Sequence, residues 1–275
     1  MADIYTYLSQ KSLGAVWGHS LCFNSTGTKA YFVSQEATPN RVREVSLSTP
    51  WAISTAALSG NTLSPTTYLQ GCFMAPDDSG IFICRGQTAG VYDVYQYSLA
   101  GDLSTAAYVR TKNFTDAAGT GTTWMFSGCF SPLGNRLILV GNTTSGGLYL
   151  TRYNLSAPFN ISTAVKTEAR AFFSGAFNPS IFASASGRRI YATNRLSTSI
   201  YRISLAEEWD LSSWSSTDST DISNNKISGM AADEENAMLY LLEELNPGKL
   251  LAYSFTPFQA EFWTNFSEQT EIMPV

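Results

Sequence analysis

The sequence predicts an all-β chain folded as a five-bladed β-propeller of four-stranded antiparallel blades. Three observations predict it: a phrase that recurs about every fifty residues, a hairpin text that opens each recurrence, and the lack of an apolar stripe of helical period. The phrase first reads Val45-Ser46-Leu47-Ser48-Thr49-Pro50-Trp51-Ala52-Ile53-Ser54-Thr55-Ala56. It returns around Leu99, Leu155, Leu205 and, worn, Phe255; these anchors lie 52, 56, 50 and 50 residues apart. The opening text is an apolar run, a Gly/Asp/Asn/Ser turn and a second apolar run, as in Leu21-Cys22-Phe23-Asn24-Ser25-Thr26-Gly27-Thr28-Lys29-Ala30-Tyr31. Its copies begin at Cys72, Cys129, Ile181 and Gly229. Such a text marks a hairpin.

Each unit therefore holds four short strands, in the first unit roughly 19–24, 29–34, 41–47 and 53–59. A four-stranded sheet has two faces to bury, and stacking it between like neighbours around an axis buries both. The 13% aromatic content supplies wedges between such sheets. Blades are expected at 16–62, 68–116, 125–172, 177–223 and 225–275, forming one propeller domain over 1–275. Near the N-terminus, Ile4-Tyr5-Thr6-Tyr7-Leu8 resembles an orphan outer strand. A strand over 3–9 is expected to pair with the last unit and close the ring; the alternative is a free arm. The stretch from Ala231 to Glu244 has helix-forming residues, but its alignment with the other hairpins reads as turn plus strand.

Composition narrows the function classes. The chain is 44% hydrophobic and 14% charged, and its 34 Ser and 28 Thr supply surface polarity instead of charge. That hydrophobicity argues against disorder, and no run approaches the ~18 apolar residues of a membrane-spanning helix. With a net charge of −5, the chain lacks the basic footprint of a nucleic-acid binder. The first residues lack the basic and apolar regions of a secretory signal, so synthesis in a cytoplasm is expected. The four cysteines, Cys22, Cys72, Cys84 and Cys129, show no CxxC spacing, and His19 is the single histidine, so no metal site is expected. Cys22, Cys72 and Cys129 each precede Phe. They are expected to be buried free thiols at one repeated position, pointing in equivalent directions and therefore not meeting.

Hydrolysis of a glycoside needs two carboxylates flanking one bond. The inner-strand texts His19–Phe23, Gln70–Phe73, Ser127–Phe130, Ser180–Ala183 and Ser228–Met230 contain no Asp or Glu. Asp77, Asp78, Asp233, Glu234 and Glu235 fall in turns, and Glu207, Glu208 and Asp210 precede an outer strand; all read as structural or solvated. Around His19 nothing resembles a nucleophile elbow. The sequence therefore offers no catalytic residue and no cofactor motif. One constellation carries a binding alternative. Six residues before Phe23, Phe130 and Ala183 stand Trp17, Trp124 and Phe177, near one mouth of the axial channel. They pack blade on blade, or they stack on sugar rings or a partner's apolar side chain. The counterpart in the second unit is Thr67 if Gly-Cys-Phe sets the alignment and Tyr68 if Pro76 does; the fifth unit offers Asn224 or Asn225.

The phrase from Leu47 to Ala56, with Asn160-Ile161-Ser162-Thr163-Ala164 and Trp209-Asp210-Leu211-Ser212-Ser213, resembles the LSTPWDISTA repeat of propeller proteins from bacteriophages and some bacteria. It departs at Ala52, where the pattern has Asp. The resemblance implies a non-enzymatic virion structural protein, tail- or capsid-associated. Such a protein docks other virion proteins, or a host-surface glycan or receptor, without binding nucleic acid or inserting into a membrane. A carbohydrate-binding, lectin-like propeller is the alternative, and a glycosidase or lactonase the third reading. The connections 33–41, 85–93, 141–148 and 193–198 are the candidates for partner contact, because loops carry function on rigid scaffolds.

Overall fold

The computed structural model of the chain describes residues 5–13, 18–35, 40–65, 68–86, 92–114, 122–143, 147–174, 179–193, 198–222, 226–233, 236–243 and 248–255. Within them, twenty strands form five four-stranded antiparallel sheets, a five-bladed β-propeller. Strand β1 (Tyr5–Ser12) comes first and belongs to the last blade. Blade 1 holds β2 (Gly18–Phe23), β3 (Lys29–Ser34), β4 (Arg41–Leu47) and β5 (Ala56–Leu63), from the axis outwards. Blade 2 holds β6 (Leu69–Met74), β7 (Gly80–Arg85), β8 (Asp93–Ser98) and β9 (Ala107–Asn113). Blade 3 holds β10 (Thr122–Phe130), β11 (Arg136–Thr143), β12 (Gly147–Leu155) and β13 (Ala164–Ser174). Blade 4 holds β14 (Ile181–Ala183), β15 (Arg189–Thr193), β16 (Ser199–Leu205) and β17 (Trp214–Asp221). Blade 5 takes β18 (Ile227–Asp233), β19 (Met238–Glu243) and β20 (Lys249–Phe255) from the C-terminal part. Its outer strand is β1, paired antiparallel to β20 from Tyr5↔Phe255 to Ser12↔Lys249. The first and last parts of the chain thus share one sheet. Residues 256–275, assigned to the last blade in the sequence reading, lie outside the described residues.

The core is divided among the blade interfaces. Five apolar clusters each join side chains of two neighbouring blades, for example Phe73 and Phe82 of blade 2 with Phe130 and Leu137 of blade 3. Alternation along each strand sends successive side chains to opposite neighbours. The inner strands crowd at the axis. β2, β6, β10 and β18 each shift register, between His19 and Cys22, Leu69 and Gly71, Met125 and Ser127, and Ile227 and Gly229. A bulge of this kind bends a strand where its neighbours approach. Serines tie the ring at this level: Ser20 Oγ donates to the Cys72 carbonyl at 2.6 Å, and Ser228 Oγ to the Gly18 carbonyl at 2.6 Å.

The recurring phrase has a physical explanation. Its Ile or Leu opens a one-turn 3₁₀ helix and is buried: Ile53, Leu103, Ile161 and Leu211. Each enters the cluster shared with the preceding blade. The hydroxyl three residues after the cap donates to the cap carbonyl: Thr55 to Ala52 at 2.8 Å, Thr105 to Asp102 at 2.7 Å, Thr163 to Asn160 at 2.8 Å and Ser213 to Asp210 at 2.7 Å. The same oxygens accept backbone N–H groups from Thr49, Ala100, Ala157 and Glu207, which closes the loop. The fourth strand therefore begins at Ala56 and not at Ile53 as the hairpin reading placed it, because the hydroxyl staple holds Ile53–Thr55 in a turn.

The cap residue explains the Asp of the pattern. Side chains of Asp102, Asn160 and Asp210 accept from the backbone N–H of Ser104, Ser162 and Ser212. The hydroxyls of Ser104 and Ser212 also donate to these carboxylates, and that contact is the main cause holding both acids below the usual carboxylate range. Ala52 offers no such bond. Ala52→Asp is expected to supply it and to raise stability by roughly 0.5–1 kcal/mol. An unchanged urea midpoint would contradict the capping role.

The phrase's aromatic residue and the hairpin's glycine form a pair. Trp51, Phe159 and Trp209 adopt φ of 61°, 53° and 59° and donate their N–H groups to the carbonyls of Gly27, Gly134 and Gly187. Their rings lie so close that a Cβ on those glycines would sit 2.2, 2.5 and 2.0 Å from ring atoms. Blade 2 lacks the aromatic in its shorter phrase, and Asp78, with φ 59°, takes the glycine's place. The Asp78 carboxylate then accepts from the backbone N–H and hydroxyl of Ser25 in blade 1 at 2.7 and 2.6 Å.

Candidate functional site

The five inner strands run parallel around the axis and end at one face of the ring. There they enclose a cavity of about 480 Å³. Its walls carry Cys22, Phe73, Cys129, Phe182 and Met230, one side chain from each blade, with Cys72 and Met74 beside them. Small residues, Ala75, Ala183, Ala231 and Ala232, keep it open. The rim reaches the hairpin turns, where Ser25, Pro76, Pro132 and Ala185 are exposed, so the cavity is accessible from that face. Trp51 and Trp209 also line it. The Trp51 ring stacks on Phe23 at 5.1 Å and on Tyr240 at 5.6 Å, and Tyr240 donates its hydroxyl to the Trp51 carbonyl at 3.1 Å.

One carboxylate reaches this lining among the described residues. Asp233, read from the sequence as a turn residue, is the last residue of β18 and is buried. It accepts from the backbone N–H of Asn236 at 3.2 Å and from its side-chain amide at 2.7 Å, closing the β18–β19 turn. A pair of facing acids, as glycoside hydrolysis requires, is not formed by the described lining residues. The cavity's chemistry is that of a soft apolar socket: aromatic faces, thioethers and thiols. Such a socket suits an apolar side chain or ring, with the polar rim orienting it.

Of the aromatic residues singled out in the sequence, Trp124 stands at the other end of its inner strand, β10. Trp124 is half-buried, edge-on to Phe126 at 6.2 Å, and packs on the cluster between blades 3 and 4. Trp17 and Phe177 lie outside the described residues, as do Thr67, Asn224 and Asn225. Turn geometry settles the alignment of blade 2. Ala75 N–H bonds to the Gly80 carbonyl as Asn24 N–H does to Lys29 and Ser131 N–H to Arg136. Pro76 therefore matches Pro132, and Tyr68, an exposed residue, is the counterpart of Trp124.

That alignment corrects the reading of the cysteines. Cys22 and Cys129 occupy one position and face the following blade, but Cys72 is one residue out of step and faces the preceding blade. Its sulfur consequently meets that of Cys22, with Sγ–Sγ at 3.9 Å. All four cysteines are free thiols; Cys22, Cys72 and Cys84 are buried, whereas Cys129 is partly exposed toward the cavity. Burial raises the Cys22 thiol well above its ordinary pKa, helped by the hydrogen bond with Cys72, and pushes Cys129 up to about 12. His19 is buried in β2.

No protein-family model and no curated protein matches the chain. Its backbone is similar to the β-propeller domain of Myceliophteria thermophila Cps50 (Swd1), with a TM-score of 0.51 and 9% identity over 92% of this chain and 100% of that one. The likeness is one of architecture alone. A chain of the mitotic checkpoint complex gives a TM-score of 0.48 and 12% identity, covering 86% of this chain and 62% of that chain. Both relationships are too distant in sequence to carry a residue role across.

Proposed function

We propose that the chain is a non-catalytic structural component of a bacteriophage particle, a tail- or capsid-associated propeller that docks another virion protein or a host surface. The observation that carries the reading is the axial cavity: it opens to solvent and is walled by aromatic rings, thiols and thioethers. It takes an apolar side chain presented by a partner rather than a polar substrate needing acid–base chemistry. The likeness of the phrase Leu47–Ala56 to the repeat of phage propellers supplies the setting. A net charge of −5 agrees with a protein partner and disfavours duplex DNA, which is held by Lys and Arg on phosphates. Among the described residues no helix is long and apolar enough to cross a membrane.

Quantitative mass spectrometry of purified virus particles from cells expressing this chain tests the reading. The expected result is a fixed number of copies per particle that survives a salt wash, together with no glycan hydrolysis by the isolated protein. Particles without the chain, or robust glycosidase turnover, would overturn it. Selective binding on a glycan array by a chain absent from particles would favour the lectin reading.

A further inference from the structure

The geometry points to a dithiol modification site: Cys22 and Cys72, joined as a disulfide where the interface of blades 1 and 2 meets the axial cavity, lock blade 1 to blade 2. This inference stands on the sulfur geometry and is independent of the virion reading. The two sulfurs are 3.9 Å apart, and the residues are separated by 50 positions in the chain. A disulfide needs about 2.0 Å between sulfurs, so rotation about χ1 has to bring them together by roughly 2 Å. Cys22 Sγ also lies 3.8 Å from the Tyr31 carbonyl, and either sulfur can donate across the contact between Cys22 and Cys72. The two sulfurs are therefore already in contact. No group of three or more His, Cys, Asp or Glu side chains among the described residues is placed to hold a metal ion, so the pair reads as a redox couple and not as part of a metal centre.

Access is through the cavity. Cys22 and Cys72 both line it, its rim is exposed at Ser25, Pro132 and Ala185, and Cys22, 8% exposed against none for Cys72, is the sulfur an oxidant reaches first. A water molecule occupies about 30 Å³ of liquid, so about 480 Å³ admits a small neutral oxidant with room to spare. The oxidant is a hydroperoxide, with hydrogen peroxide as the simplest member. One sulfur, as thiolate, attacks a peroxide oxygen and the O–O bond breaks. With hydrogen peroxide, hydroxide leaves, takes up the proton lost by the thiol and becomes water, and the sulfur becomes a sulfenic acid. The second sulfur attacks the sulfenic sulfur, the S–O bond breaks, and its own thiol proton leaves with the hydroxide as a second water. Two thiols give up two electrons and two protons, and one peroxide becomes two waters. Thiol reductants reverse the link by exchange.

Burial also sets the rate. A thiol held above its ordinary pKa presents little thiolate near neutrality, so oxidation is slow at pH 7. The rate should rise roughly tenfold per pH unit between pH 7 and 9.

The test uses the full chain, treated with hydrogen peroxide and then denatured for thiol counting. The four thiols should fall to two, with a mass loss of about 2 Da and, after digestion with trypsin and then chymotrypsin to separate Cys72 from Cys84, a peptide joining Cys22 to Cys72. The melting temperature should rise by on the order of 5–10 °C, because the link closes a long loop in the unfolded chain. Cys22→Ala and Cys72→Ala should abolish the link, while Cys84→Ala and Cys129→Ala should keep it. If an alanine variant fails to fold, the wild-type peptide map decides. Four thiols surviving oxidation, sulfinic acid at these positions in place of a link, or a link between another pair would overturn the inference.

Discussion

Gly71→Val is expected to abolish folding of the chain at 37 °C, giving insoluble protein under conditions in which Gly60→Ala folds. Gly71 lies at the bulge of β6, where inner strands converge, and a Cβ there would sit 1.5 Å from the Phe126 carbonyl oxygen and 2.7 Å from its carbon. Those atoms are backbone of β10 in the next blade, so relief requires moving a whole blade. Opposite, the Ser20 Cβ is 3.3 Å away and blocks retreat toward blade 1. Strain of this size exceeds the 5–15 kcal/mol that typically separates folded from unfolded chains. Gly60→Ala is the control: nothing lies within 4 Å of a Cβ there, and with φ +89° the cost is backbone strain alone, roughly 1 kcal/mol. Comparable solubility of the two variants would contradict the close approach of blades 2 and 3.

Phe82→Ala is the second large effect, a loss of about 3–5 kcal/mol. Phe82 is wholly buried on β7, stacked on Phe73 at 5.2 Å and edge-on to Phe130 at 4.7 Å. These rings fill the interface between blades 2 and 3, and their removal leaves a void that rigid sheets cannot collapse to fill. Equilibrium urea unfolding reads the loss. A change below ~1 kcal/mol would mean that the interface repacks.

The architecture was legible because each blade repeats the same physical problem. Hairpins need turn residues between apolar runs, and these stand out at Gly27, Asp78, Gly134 and Gly187. The 3₁₀ turn was not read from Ile53-Ser54-Thr55, whose β-branched residues suit a strand equally well. The signal for it lay in the Asp or Asn before the apolar residue and the hydroxyl three positions after the cap. The alignment of blade 2 was obscured by chance identity: Gly71-Cys72-Phe73 copies Gly128-Cys129-Phe130 letter for letter, yet the turn holds Ala75 where Asn24 and Ser131 stand. Matching Pro76 to Pro132 carries the right register, because the turn and not the strand text sets the pairing. That one-residue difference brings Cys72 to Cys22.

The site was less legible. In the sequence the aromatic residues at 17, 124 and 177 mark the starts of inner strands, whereas the cavity opens where those strands end. In the sequence Trp51 and Trp209 stand only as part of a repeat signature. Their φ near +60° and their place over the turn glycines, which bring them into the cavity lining, depend on three-dimensional closure.

The most direct test of the account blocks the cavity without touching its core. Ala185 is exposed at the rim, and Ala185→Trp places a large ring over the opening. The measurement is the number of copies of the variant chain per purified particle, beside the wild type, with circular dichroism and melting temperature as checks on folding. The account predicts a folded variant with an unchanged melting temperature and at least a tenfold loss of incorporation, equivalent to about 1.4 kcal/mol of docking free energy. A folded variant incorporated at the wild-type level would contradict the claim that the axial cavity is where this propeller docks.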